Sequence, residues 1–334
     1  MKLPLVLFAV LLAGCAVPAE PVANAPLPPR IAAAVYGLKG QFMQNWVRQA
    51  KHHPEVASGA VTLAVLDGNY DALTQSNQID TLLTQGYDGL VFVPIDARAG
   101  ASAAARARAA QVPLIASNTM VSDTQVPYIG NDDVEGGRLQ ARALAKAIGG
   151  KGNVVILQGP IGQSAQIDRQ RGEFEVLAAY PLITVIEMRT ANWSRAEAMD
   201  LMEDWLNAHP GQINVVIAQN DDMALGALEA IKQRGLDPRR IHVTSIDGMP
   251  DAIRAAQRGE LITFLQDAQG QAQGAIDLVL RRLRGPAYQP QSEIWQRYAT
   301  QMPWNGGTDR RYVLPWVPVT AENAAALYAQ VTGS

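Results

Sequence analysis

From Ile31 onward one pattern repeats: a short apolar run, a polar stretch with helical spacing, then another apolar run. IAAAVYG (31–37), VTLAVLDGN (61–69), DGLVFVPID (88–96) and VPLIASNT (112–119) predict strands. QFMQNWVRQAKHH, SNQIDTLLTQG and AGASAAARARAAQ predict the helices between them, the second closed by Gly86. After YIGNDDVEGG the series restarts with the helical GRLQARALAKAIGG. Strands NVVILQG (153–159), ITVIEMRT (183–190), INVVIAQ (213–219) and IHVTSIDG (241–248) then alternate with helical SAQIDRQRGEFEVLAAY, SRAEAMDLMEDWLNAH and DMALGALEAIKQRG. This alternation predicts an α/β fold with parallel sheets covered by helices on both faces. The second series echoes the first, so each half predicts one doubly wound lobe. Ligands of such sheets bind at the carboxyl ends of the strands, and two facing lobes set those ends across a shared cleft.

The stretch AQNDDMALGALEAI (218–231) lies at such an end. One of Asn220, Asp221 or Asp222 has to cap the helix that follows, whose first amides lack partners. Three polar side chains exceed that need, which leaves at least one to face the cleft.

The chain has 334 residues, 48% of them hydrophobic and 18% charged, with a formal net charge of −3. That length suits two domains, and that charge carries no footprint for nucleic acid. Past the first residues no apolar stretch is long enough to span a bilayer. The opening MKLPLVLFAVLLAGC has a basic start and a short apolar run, the form of an export signal over residues 1–14. Its LAGC resembles the lipobox of bacterial lipoproteins. The resemblance implies cleavage before Cys15 and a lipid anchor on it, with more than one acyl chain needed for lasting attachment. Cys15 is the sole cysteine, so an intrachain disulfide is excluded. The Pro- and Ala-rich segment from Cys15 to Arg30 predicts a flexible linker.

Four stretches, QNDDMALGALEAI, SIDGMPDAIRAAQRGEL, LQGPIGQSAQIDRQRGEF and IASNT…YIGNDDVEGG, carry a family likeness. The chain resembles the ribose- and galactofuranose-type periplasmic binding proteins, the type I solute-binding components of ABC sugar importers. The likeness runs from Ile31 to Pro290 and is strongest from Val154 to Leu265. It implies two lobes joined by a multi-crossing hinge: residues 31–130 with 267–296, and 131–266 with 297–334. It further implies a monomer without cofactor or catalysis, anchored outside the cytoplasm. Such a protein closes over a monosaccharide or polyol and presents it to an ABC permease. Carried over by position, Asn220, Asp247, Gln266 and Arg169 hold the ligand from the C-terminal lobe and hinge. Trp193 stacks on a sugar face, and Phe42, Tyr36 and Asn118 belong to the N-terminal lobe's side. Carboxylates, amides and guanidinium groups suit hydroxyls, which both donate and accept, and an aromatic face suits the C–H side of a sugar ring. The chain departs from the family at Asn118-Thr119, where Asp-Arg is common, and at Val93, where an asparagine occurs. These departures imply a ligand with fewer or differently placed hydroxyls on that side.

Other motifs lead elsewhere or nowhere. DGNYDALTQSNQ (67–78) starts like a calcium loop but has Ala72 at the glycine position and Gln78 at the glutamate position; it predicts a polar turn. No histidine has zinc spacing. A DNA-binding regulator on these lobes would need an N-terminal helix-turn-helix, for which residues 1–30 leave no room. A glycosidase would need a carboxylate pair, for which Asp221 or Asp222 with Asp247 is the candidate. A sensory role for the same ligand class is the further alternative. The tail beyond Pro290, with Trp295, Trp304 and Trp316, predicts a final helix in VTAENAAALYAQV packed along the back of the lobes.

Overall fold

A computed structural model describes residues 27–332. The export-signal segment and Cys15 lie outside the described residues. Each of the eight predicted strands forms, and four short ones join them. In chain order they are β1 (Arg30–Val35), β2 (Thr62–Asp67), β3 (Gly89–Val93), β4 (Leu114–Ser117), β5 (Tyr128–Asn131), β6 (Lys151–Gln158), β7 (Leu182–Thr190), β8 (Val215–Ala218), β9 (His242–Asp247), β10 (Ile262–Leu265), β11 (Arg311–Leu314) and β12 (Val317–Pro318).

They assemble into two six-stranded sheets, β11-β5-β4-β3-β1-β2 and β12-β10-β9-β8-β6-β7. The two orders match strand for strand, each being a doubly wound 2-1-3-4-5 arrangement with one added edge strand. The central strands are apolar on both faces because helices cover both; β3, β4 and β8 are buried throughout. Two edges differ: β11 runs parallel to β5, whereas β12 runs antiparallel to β10. The tail from residue 297, expected wholly with the C-terminal lobe, is therefore divided. Its strand β11 completes the first sheet, and β12 with helix Ala324–Thr332 joins the second lobe, packing on Ile253 and Leu265.

Three strand ends carry the chain between lobes: after β5, after β10 and between β11 and β12. The segment before β11 is tied to helix Ala268–Arg284 by Asp277, whose carboxylate accepts from Tyr288, Trp295 Nε1 and two backbone amides. Trp295 also meets Trp304 and Tyr312 edge to face, at 4.6 and 5.3 Å between centroids. No helix among the described residues is long and apolar enough to cross a membrane.

Polar residues at strand ends start the helices that follow. Asp71, Asp96, Asp132, Ser194, Asn220 and Asp267 each accept a first-turn amide. This capping chemistry gathers side-chain oxygens at the carboxyl edge of both sheets, and that edge is where the lobes meet.

Candidate functional site

The lobes touch across the cleft on two edges. On one, Ala97 N donates to Gly162 O (3.1 Å), Met120 N to Ser164 Oγ (2.7 Å) and Gln163 Nε2 to Pro94 O (3.1 Å). On the other, Gln41 N donates to Asp222 Oδ2 (2.8 Å). Beside this second edge a cavity of about 540 Å³ is lined by Lys39 and Tyr70 of the first lobe and by Trp193, Asn192, Glu197 and Asp222 of the second. The eight residues singled out in the sequence are buried, none more than 7% exposed, and of them Trp193 alone lines this cavity.

Arg169 is set by helix packing. Helices Asp133–Ala147 and Ser164–Leu177 approach so closely that a Cβ on Gly137 would lie 2.0 Å from Arg169 O, and one on Gly172 1.9 Å from Val134 O. That contact puts Arg169 Nε 2.9 Å from Asp133 Oδ1 and Nη1 2.5 Å from Gln219 O. Its guanidinium lies between two indoles, 5.5 Å from the Trp193 centroid and 5.8 Å from Trp316. Trp316, in the third crossing, is itself pinned by Nε1 donating to Asp132 O (2.8 Å). Arg169 is thus no member of a solvated helix face, unlike its neighbours Asp168 and Arg171, which pair with each other at 3.0 Å.

A chain of side chains crosses the hinge. Asn118 Nδ2 donates to Gln266 Oε1 (3.2 Å), and Gln266 Nε2 donates to Asp247 Oδ1 (2.5 Å). Gln271 Nε2 supports the same Gln266 oxygen (3.0 Å) and also reaches Asn131 Oδ1 (2.9 Å). Burial, and then the charge of nearby Asp221, push the Asp247 carboxyl well above the usual carboxylate range; Arg169 and Gln266 pull the other way. Burial likewise raises Asp133 to about 6 and Asp221 to about 7.

The three polar residues of AQNDDMALG have three separate positions. Asn220 is the cap, its Oδ1 accepting from Met223 N (2.9 Å), which leaves Nδ2 to offer the cleft. Asp221 is enclosed within its own lobe, where Thr263 Oγ1, Ser245 Oγ and Met249 N all donate to it. Spent on tying β8, β9 and β10 together, it is not free to act as one of a catalytic carboxylate pair. Asp222 reaches across to the other lobe.

Trp193 Nε1 donates to Gln163 Oε1 (2.7 Å), fixing the indole in its plane. Tyr36 packs edge to face with Tyr70 (5.6 Å), and burial raises its hydroxyl well above the ordinary range, so it stays neutral. Phe42 is buried in the same apolar cluster as Tyr36 and Trp193. Tyr70, Asp133 and Gln163 are site neighbours that the sequence did not single out; Asp222 entered only as a cap or as half of a carboxylate pair, and Trp316 only as part of the tail. Tyr70 had a usable signal, since it follows the apolar run of β2 at a carboxyl end.

Backbone strain marks the same places. Of the eight non-glycine residues with positive φ among the described residues, six stand at carboxyl ends of strands: Asn69, Tyr70, Asn118, Asn192, Trp193 and Asp247. Asp247, at φ 136°, is the most unusual for a residue with a side chain.

Comparisons with known proteins agree with this architecture. The periplasmic binding protein domain model matches residues 31–287. The xylitol-binding protein of Mycolicibacterium smegmatis is 37% identical over 242 residues, covering 71% of this chain and 67% of that protein. The galactofuranose-binding protein of Escherichia coli is 31% identical over 231 residues, covering 67% and 73%. The crystal structure of a galactofuranose binding protein superposes with a TM-score of 0.78 at 25% identity, covering 92% of this chain and 99% of the other. The chain belongs to the type I periplasmic sugar-binding proteins.

Proposed function

We propose that this protein captures a monosaccharide or a related polyol between its lobes by hinge closure and delivers it, unchanged, to an ABC permease. It works as a monomer outside the cytoplasm, held to a membrane by lipid on Cys15. The observation that carries the reading is the buried set of Asp247, Gln266 and Asn220 at or just past strand ends, with Arg169 reaching Gln219 O from its helix and Asn118 of the first lobe bonded to Gln266. Asp247 and Asn118 accept from and donate to hydroxyls, Arg169 and Asn220 Nδ2 donate, and Trp193 covers the C–H face, with Phe42 on the apolar side. Hydrogen bonds to charged groups are worth about 1.5–3 kcal/mol each, and exclusion of water on closure strengthens them. The uncharged Asn118-Thr119 pair favours a ligand with fewer hydroxyls toward the first lobe. Thr119 Oγ1 is already spent on Pro94 O (2.8 Å).

Xylitol, bound by the 37%-identical relative, heads the ligands to test, together with other pentitols, pentoses, hexoses, inositols and deoxy sugars. A thermal-shift screen should give its largest shift within this panel, and mass analysis should recover that compound intact. A shift with non-carbohydrate ligands alone would refute the ligand class, and a cleaved product would refute transport without chemistry. Loss of membrane partition in Cys15→Ala tests the anchor.

A further inference from the structure

Two of the contacts between the lobes are helix caps supplied in trans, and both use helix Gln41–Lys51. Its N-terminus has no cap of its own: Gly40 stands in the cap position without a side chain, and the first turn holds no acidic residue. The amides there lack helical partners. Gln41 N is satisfied by Asp222 Oδ2 at 2.8 Å, from a carboxylate of the opposite lobe that is only 7% exposed. Asp222 is not needed at the start of its own helix, which Asn220 already caps.

About two turns further along, Arg48 Nη2 donates to Val331 O at 2.9 Å and is steadied by Asn45 Oδ1 at 2.7 Å. Val331 lies in the last turn of the tail helix Ala324–Thr332, where carbonyls have no helical partner and carry the negative end of the dipole. That helix rides with the second lobe. The capping is therefore reciprocal. The second lobe's carboxylate closes the amide end of a first-lobe helix, and that helix's guanidinium closes the carbonyl end of the second lobe's tail.

We propose that Asp222, Arg48 and the C-terminal helix form a clasp that holds the cleft shut, and that the tail beyond the sugar-binding lobes serves to set how long a captured ligand stays. The inference rests on the hinge-closure reading above. Neither cap can form with the lobes apart, where each group goes to water, so both bonds favour the closed state alone. Among the described residues, the hydrogen bonds of the opposite edge, with Pro94, Gly162 and Ser164, are between neutral groups.

The test is the interlobe distance distribution, read between labels on exposed Gln85 of the first lobe and Gln212 of the second, through a xylitol titration. Asp222→Ala should raise the midpoint of closure about tenfold and speed xylitol release in proportion. Asp222→Asn, which keeps an acceptor, should recover much of that. Arg48→Met, which touches no part of the cleft, should raise the midpoint about threefold. Wild-type midpoints and release rates in both Asp222→Ala and Arg48→Met would overturn the clasp. Should xylitol fail to close even the parent protein, the ligand choice fails, and the ligand-free distributions decide the clasp. A shift to longer distances in both variants supports it, and unchanged distributions end it.

Discussion

The two lobes are the same scaffold built twice, yet they bring different chemistry to the cleft. Asn69-Tyr70 follows β2 and Asn192-Trp193 follows β7, each pair starting two residues past the strand's last residue, each with two positive φ values. Asn118 after β4 and Asp247 at the end of β9 repeat the correspondence. Topology thus dictates where side chains are delivered, and the residue delivered decides what the position does. The first lobe supplies tyrosines and an amide, a wall whose one lining charge, Lys39, is exposed. The second supplies Arg169, Asp247 and Asp222, a grip whose charges are desolvated. A wall tolerates change; a grip of buried charges does not, because each member leaves a partner stranded when it goes.

The largest effect should therefore come from Arg169→Ala. It removes ligand binding, and it also leaves Asp133 buried without its counterion, at a cost of about 3–5 kcal/mol. Urea unfolding alongside calorimetric titration with the ligand found in the screen would measure both losses, and an unchanged unfolding midpoint would break the contrast between lobes. Asp247→Asn should weaken binding about 10- to 100-fold, the worth of a charged hydrogen bond, without comparable loss of stability. Its sign with pH is distinctive. A carboxyl whose folded pKa is raised stabilises the fold below its ordinary value, and this stability is lost as pH rises through the folded value. Burial and Asp221 raise Asp247 in this way, so the melting temperature of the ligand-free parent should fall from mildly acidic toward alkaline pH. The asparagine variant should fall less steeply, and a steeper fall would contradict the stated cause.

Much of this was legible in the sequence, and the parts that were not share a physical reason. Eight apolar-rich segments declared their strands, and the strand ends implied the cleft. β5, β10, β11 and β12 escaped; each has four residues or fewer, but so do β4 and β8, so length alone does not separate them. The division of the tail followed, since β11 alone places it with the first lobe. Among the proposed site residues, the family likeness supplied Arg169, Asp247 and Gln266, which no motif or period marks. Asp133, Gln163 and Trp316 were invisible because their roles exist only through partners distant in sequence: Asp133 with Arg169, Gln163 with Trp193, Trp316 with Asp132. The polar trio 220–222 predicted a surplus over capping needs, but its division into cap, internal tie and cross-lobe contact depends on which neighbour each side chain meets.

The matched aromatic pair offers a finer test. Trp193→Ala should weaken binding by well over tenfold, because the indole is also the platform beside Arg169 and the partner of Gln163. Tyr70→Ala, at the equivalent backbone position, should cost about tenfold or less, since the tyrosine contributes a face and an edge contact with Tyr36. Equal losses would mean that position, and not the residue delivered, governs the cleft.

The smallest effect isolates the backbone itself. Asn69 has φ 50° and Asn192 φ 51°, so each carries a similar left-handed cost that glycine would relieve. Their side chains differ in employment. Asn192 accepts from Thr190 Oγ1 (3.1 Å) and donates to Glu197 Oε2 (2.7 Å), whereas at Asn69 the bond to Asp67 Oδ1 (2.8 Å) comes from the backbone amide, which glycine keeps. Asn69→Gly should therefore change stability by less than about 0.5 kcal/mol, with relief of strain offset by the greater freedom of the unfolded chain. Asn192→Gly gains the same relief but forfeits both side-chain bonds, for a net loss of about 1–2 kcal/mol. Denaturation of the two variants side by side reads the difference. A substantial loss in Asn69→Gly would mean that the first lobe's turn is held by its side chain after all, and that the two lobes are more alike than their chemistry suggests.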